Sequence, residues 1–165
     1  MSILDVLKKK DPTSSWAPPP GGKLRLVLPE GRLDGVALGS PWQALEPFGK
    51  PGNKRPLDKG TLLYKERGLV LEVEEGVFEY LGLVFRDELK EGFSPCAALL
   101  DTASGTIELS ADTRADELER LLGPPVKVDR DDDEEVREHR VGAILVETEH
   151  TLDDRLARLS AFLAE

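Results

Sequence analysis

The feature that most constrains this chain is a pattern that occurs twice. One copy runs Val36-Ala37-Leu38-Gly39-Ser40, a short helical stretch, then Phe48-Gly49-Lys50-Pro51; the other runs Ile107-Glu108-Leu109-Ser110, a longer helical stretch, then Leu122-Gly123-Pro124-Pro125. Each reads as a strand, a capped helix and a Gly-Pro stop. Downstream, Gly68-Leu69-Val70-Leu71-Glu72-Val73 and Gly142-Ala143-Ile144-Leu145-Val146-Glu147 read as matching strands. Phe48 and Leu122, like Gly68 and Gly142, stand 74 residues apart. The expected architecture is α+β, with two tandem helix-plus-antiparallel-sheet modules forming one extended sheet and helices packed on one side. Residues 1–22 read as an N-terminal helix and Pro-rich linker, 23–92 as the first module and 93–165 as the second.

Local signals fill in this plan. Ile3, Leu4 and Leu7 form one face of a short amphipathic helix that ends in three lysines. Pro12, Pro18, Pro19 and Pro20 make the following stretch a semi-rigid linker. Residues 23–28 alternate charged and apolar side chains before Val27, the period of a half-buried strand. Ser40-Pro41-Trp42-Gln43 offers a serine N-cap, a proline at the first helical position and a glutamine three residues on. Thr113 and Asp116 repeat that cap in a weaker form, ahead of an apolar face of Leu118, Leu121 and Leu122. Strands are predicted over 61–66, 69–74 and 77–85, the last two joined by a tight Glu75-Gly76 turn. In the third of these, Phe78 and Tyr80 fall on one face, with Val77 and, after a pleat shift, Leu81 and Phe85 on the other. A further hairpin turns at residues 102–105, the charged stretch 86–95 connects the modules, and a last strand covers 141–148. A final helix is predicted over 152–164, capped by Thr151, with Leu152, Leu156, Leu159 and Leu163 as its buried stripe.

Composition narrows the partners. With 32 acidic and 22 basic side chains the formal charge is −10, which repels nucleic acid and anionic membrane and attracts a basic protein. Hydrophobic residues make up 39% of the chain but aromatics only 5%, which gives a lean core. A single cysteine, Cys96, rules out an internal disulfide framework and suits a reducing compartment. No apolar run approaches the roughly 20 residues of a membrane span. The first ten residues place charge after the apolar residues, the reverse of a secretory signal. The expected location is the cytoplasm.

Catalytic signals are sparse. His139 and His150 belong to no metal-ligand spacing and read as ordinary surface residues. Cys96 has no neighbouring histidine or lysine to lower its pKa and reads as a buried small hydrophobe. Neither Gly21-Gly22 nor the stretch 49–54 has the order of a phosphate-binding loop; the latter reads as a mobile basic loop. The acidic run 129–135 is interrupted by Arg130 and lacks the turn glycine of a calcium loop. It reads as a solvated loop or as an interaction surface, and in the repeat register it answers the basic loop at Lys54 and Arg55. Neither a metal site nor a cofactor is expected.

The string of strand, Gly-Ser, helix and Leu/Phe-Gly-x-Pro, followed by a hairpin-built sheet, resembles the small α+β module shared by the β-lactamase inhibitory protein and the small lipoprotein of the outer-membrane barrel assembly machinery. The resemblance rests on Leu38-Gly39-Ser40, Phe48-Gly49-Lys50-Pro51 and Leu122-Gly123-Pro124-Pro125, and covers residues 33–162 as two modules in tandem. The chain departs from that group in lacking the inhibitor's cysteine pairs and the lipoprotein's lipobox. The resemblance implies binding by a sheet face. The function expected from the sequence is therefore non-enzymatic protein binding, of the inhibitor or immunity kind, directed at a toxin or enzyme with a basic surface. Candidate contacts are Trp42, Tyr64, Phe78 and Tyr80 as aromatic anchors, with Asp131, Asp132 and Asp133 as steering charges. The alternatives are a structural subunit of a larger assembly, or a small-ligand-binding domain or enzyme with its cleft between the modules.

Overall fold

A computed structural model describes residues 10–165; the amphipathic helix expected on Ile3, Leu4 and Leu7 lies outside the described residues. Among these residues twelve strands form the body: β1 (Leu24–Val27), β2 (Arg32–Leu33), β3 (Val36–Ala37), β4 (Thr61–Tyr64), β5 (Leu69–Glu74), β6 (Val77–Val84), β7 (Ala98–Thr102), β8 (Gly105–Leu109), β9 (Lys127–Arg130), β10 (Glu134–Val141), β11 (Ile144–Thr151) and β12 (Leu156–Leu163). Among the described residues two short α-helices, α1 (Pro56–Lys59) and α2 (Ala115–Leu122), join 3-10 segments over Trp42–Phe48 and Lys65–Arg67. The fold class is α+β, with two sheets and few helices.

The strands do not make the one extended sheet read from the sequence. Five of them are ordered β3-β2-β1-β7-β8, and seven are ordered β4-β5-β6-β12-β11-β10-β9. The separation arises because β1 pairs in parallel with β7, Leu24 opposite Ala98 and Leu26 opposite Leu100, and so draws the start of each half of the chain into a sheet of its own. The larger sheet is built of two antiparallel meanders, β4-β5-β6 and β10-β11-β12. They meet along an antiparallel seam where Tyr80 faces Phe162 and Leu83 faces Leu159. One hydrophobic core runs between the sheets, from Leu26 and Leu100 to Leu71, Leu83, Val146 and Leu159. Leu45 and Phe48 of the first 3-10 segment and Leu118 and Leu122 of α2 enter the same core.

The Gly-Pro stops have matching backbones. Gly49 sits at φ 82°, ψ −177° and Gly123 at φ 85°, ψ 175°, each donating its N–H to a carbonyl in the last helical turn, that of Glu46 or Glu119. Gly68 and Gly142 open β5 and β11 at φ 61° and 62°.

The helix starts differ from expectation. Ser40 does not cap a helix, because its carbonyl is taken by the N–H of Phe78 and Pro41 bridges to Val77. Pro47 lies inside the segment that follows, which is 3-10 and not α. Thr113 also caps nothing: it folds back on Ser110, and the N–H of Ala115 at the start of α2 donates instead to Asp154, 39 residues away.

The helix expected over 152–164 is a turn followed by β12. Thr151 Oγ1 accepts the N–H of Arg155 and closes the β11-β12 turn, leaving Leu152 exposed. Because β12 lies between β6 and β11 inside the larger sheet, its two faces are both largely covered. Its apolar residues then run almost continuously, and leucines three or four apart follow without any helical period.

The Pro-rich stretch is held on the body. Trp16 stacks on Trp42 with ring centroids 6.0 Å apart, and Lys50 donates its N–H to Ala17. The basic loop is likewise tethered, since Asn53 bonds both the carbonyl of Thr61 and the N–H of Leu63 on edge strand β4.

Candidate functional site

The larger sheet has one face in the core and one open. Alternation along β11 assigns them: Ile144, Val146, Thr148 and His150 are buried, while Leu145, Glu147 and Glu149 between them are half-buried on the other face. Pairing carries the open face across the sheet in a row of Glu72, Tyr80, Phe162, Leu145 and Arg140, one residue from each of β5, β6, β12, β11 and β10.

A bulge puts Tyr80 in this row. Glu72 opposes Tyr80, but Val73 opposes Phe78, so Glu79 is an extra residue in β6 and reverses the pleat. Phe78 consequently lies in the core with 0% exposure, and Tyr80 faces out. The sequence reading, which left the two on one face, is corrected by this one inserted residue.

Gly82 leaves the space that Tyr80 occupies: a Cβ there would come within 3.0 Å of the phenol oxygen. The ring lies along the sheet, its hydroxyl 2.7 Å from Ser160 Oγ across the seam, and stacks on Phe162 at 6.4 Å between centroids. Burial raises the Tyr80 pKa, against a smaller lowering from the Ser160 bond. At one end of the face Phe93 folds over Val70 and Val84. The remainder is an open trough of about 1130 Å³ whose floor holds Tyr80, Phe162 and Leu145.

Of the residues singled out in the sequence, Tyr80 alone among the aromatics belongs to this trough. Tyr64 is interior, its hydroxyl donating to the carbonyl of Gly49 at 2.8 Å, and burial raises its pKa. Trp42 is half-buried against Trp16 and the core. Tyr64 and Phe78 are therefore core residues and not contact anchors, because no partner reaches them in the folded chain.

Asp131, Asp132 and Asp133 are exposed, in the turn between β9 and β10. The acidic run is thus solvated, as one reading had it, but as the end of a hairpin between β9 and β10. Asp131 Oδ1 accepts the N–H groups of Asp133 and Glu134, and these bonds lower its pKa.

The two histidines are not surface residues. His139 and His150 are 0% and 2% exposed, on the core face of β10 and β11. Burial lowers both pKa values. His139 Nδ1 donates to the carbonyl of Gly123 at 2.8 Å. Cys96 is buried, and burial pushes its thiol up to about 12, so it is no ready nucleophile. Among the described residues no group of three or more His, Cys, Asp or Glu side chains is placed to hold a metal ion.

Phe162, Leu145, Glu138 and Glu147 were not singled out by sequence reasoning. The alternation from Ile144 to His150 carried the signal for Leu145 and Glu147, whereas Phe162 was hidden by the helix expectation.

These features define a two-sheet α+β protein with one sheet face left open. No protein-family profile matches this chain, and no curated protein matches it. A solved structure, that of a DUF4309 family protein (YjgB) from Bacillus subtilis, is similar at a TM-score of 0.53 and 15% identity, over 79% of this chain and 83% of that one. At this identity the likeness is one of fold. Among the described residues no helix is long and apolar enough to cross a membrane.

Proposed function

We propose that this chain is a non-enzymatic protein-binding protein of the inhibitor or immunity kind, acting in the cytoplasm. Its open sheet face covers a functional surface of a toxin or enzyme. The observation that carries this reading is the trough itself: a half-buried aromatic pair, Tyr80 and Phe162, on a rigid sheet and ringed by charge, has the apolar centre and polar rim of a recognition surface. The matched backbones at Gly49 and Gly123, and the two meanders meeting at β6 and β12, support a tandem arrangement of modules resembling the β-lactamase inhibitory protein and barrel-assembly lipoprotein group. In that arrangement the helical segments pack on the side of the larger sheet away from Tyr80, and their entry into the core through Leu45, Phe48, Leu118 and Leu122 favours it. The exposed Asp132 and Asp133 steer a basic partner.

Capture from the source cells with the tagged chain tests this reading, run beside Phe162→Asp and an Asp131→Ser, Asp132→Ser, Asp133→Ser variant. One stoichiometric protein partner is expected, lost with Phe162→Asp and recovered more weakly with the aspartate variant. A partner retained by Phe162→Asp would place binding away from the open face and defeat the proposal.

A further inference from the structure

Six carboxylates line the trough, those of Glu72, Glu74, Glu79, Glu138, Glu147 and Glu165, against two cationic side chains, Lys59 and Arg140. Among the described residues none of the six is in an ion pair. Elsewhere on the chain Asp101, Glu108, Glu119, Glu135 and Asp154 all have one. The carboxylates also have an order. Glu72, Glu74 and Glu79 stand on β5 and β6, Glu138 and Glu147 on β10 and β11, and between them lies the apolar floor of Tyr80, Phe162 and Leu145. Exposed Val126 and Leu163 extend that floor. From β5 to β10 is four inter-strand steps, or about 19 Å. An α-helix of about 13 residues has that length.

We infer that the trough receives a basic amphipathic helix of the partner protein, with an apolar stripe on Tyr80, Phe162 and Leu145 and lysine or arginine at each end against the two carboxylate groups. This rests on the open face being the binding surface. A helix, and not an added strand, suits the site because the trough is a sheet face, and strand addition needs a free edge. Six carboxylates with no ion pair among the described residues, eased only by Lys59, Arg140 and Lys127 across from Glu138, repel an acidic partner, and a cationic partner relieves their mutual repulsion where a neutral one does not.

The test uses a fluorescent amphipathic leucine-lysine peptide of about four helical turns, titrated with the full chain and followed by anisotropy. Two control peptides carry glutamate for lysine or glutamine for leucine. The leucine-lysine peptide is expected to bind with an affinity that falls as salt rises, and both controls more weakly. Glu72→Gln, Glu138→Gln, Glu147→Gln in one chain should weaken it about tenfold, the modest sum of three exposed charge pairs. Glu108→Gln, Asp112→Asn, Asp116→Asn, which removes the same charge elsewhere, should not. Equal binding by the first variant, or equal loss in both, overturns the inference. If Lys8→Gln, Lys9→Gln, Lys10→Gln instead tightens binding about tenfold or more, the chain's own N-terminal segment is the occupant and the inference also fails. A native partner lost with Phe162→Asp but unaffected by the first variant would sink the basic helix alone and leave the binding face standing.

Discussion

At Gly49 and at Gly123 the chain leaves a helical segment through nearly the same backbone conformation, and in each case a side chain from the following meander donates to the glycine carbonyl. The donor on β4 is Tyr64; the donor on β10 is His139. In the first half the glycine lies under the Pro-rich strap, and a Cβ there would come within 2.5 Å of Pro19 Cα. In the second, nothing approaches within 4 Å. The halves thus share a backbone solution and differ in what covers it and in whether the donor is a phenol or an imidazole. Among the described residues, buried polar atoms without a hydrogen-bond partner are Arg67 Nη1 in the first half and His139 Nε2, Thr148 Oγ1 and both ring nitrogens of His150 in the second, with His150 Nδ1 3.4 Å from Asp154 Oδ1. Backbone pairing gives both meanders the same sheet geometry, while the groups beneath them differ.

The largest expected effect separates the two glycines. Gly49→Ala meets both an unfavourable φ and the backbone of Pro18 and Pro19, and should cost about 3 kcal/mol or more by denaturant midpoint. Gly123→Ala meets the backbone conformation alone, at about 1–3 kcal/mol. Equal losses would mean that the strap yields and is not what distinguishes the halves.

Acid comes next. His139 and His150 have folded pKa values below the ordinary histidine value, first through burial, so the unfolded chain binds their protons more readily. Their contribution is fully present above the unfolded pKa of about 6.5 and is lost as pH falls from there through the folded values. Charged groups around them are Glu119 on α2, Glu135 and Arg137 on β10, and Asp154 in the β11-β12 turn. Corrected for the intrinsic rate, amide hydrogen exchange should therefore accelerate in β10 and β11 relative to β4 and β5 as pH falls below about 6.5. His139→Gln with His150→Gln should flatten that difference, and an equal acceleration in both meanders would break the comparison.

Tyr64→Phe strands the Gly49 carbonyl inside the first half, an expected loss of about 1–2 kcal/mol. Unlike the histidine effect it should not change between about pH 5 and 8, since burial moves the tyrosine further from that range. A pH-dependent loss in this variant would show that the two donors are not independent. The smallest effect belongs to the seam between the halves. Tyr80→Phe removes the hydroxyl bond to Ser160 from a half-buried site and should cost about 0.5–1 kcal/mol in thermal or denaturant unfolding.

Much of the fold was legible. The alternation in β1, the Glu75-Gly76 turn, the hairpin of β7 and β8, and the apolar face of α2 all stood in the sequence where the structure has them. The candidate site was legible only in part. Tyr80 was singled out, but with Phe78 assigned to the same face, because a one-residue bulge leaves no mark on composition. Phe162 was assigned to a helix, because Leu152, Leu156, Leu159 and Leu163 recur at helical spacing across a turn and a strand. His139 and His150 were read as surface residues, one beside an acidic run and the other at a helix start, because nothing local shows that their strands turn them into the core.

What the sequence by itself determined was local: where the backbone must turn at glycine, where proline stops or reshapes a helix, and which side chains alternate about a strand. These follow from steric limits and periodicity within a few residues. Tertiary structure decided which strands are neighbours, that β1 joins β7 and β6 joins β12, that Asp154 caps a helix 39 residues before it, and which face of the larger sheet stays open. Those outcomes depend on groups far apart in the chain competing for the same core and the same hydrogen bonds, and no short window of sequence contains both competitors.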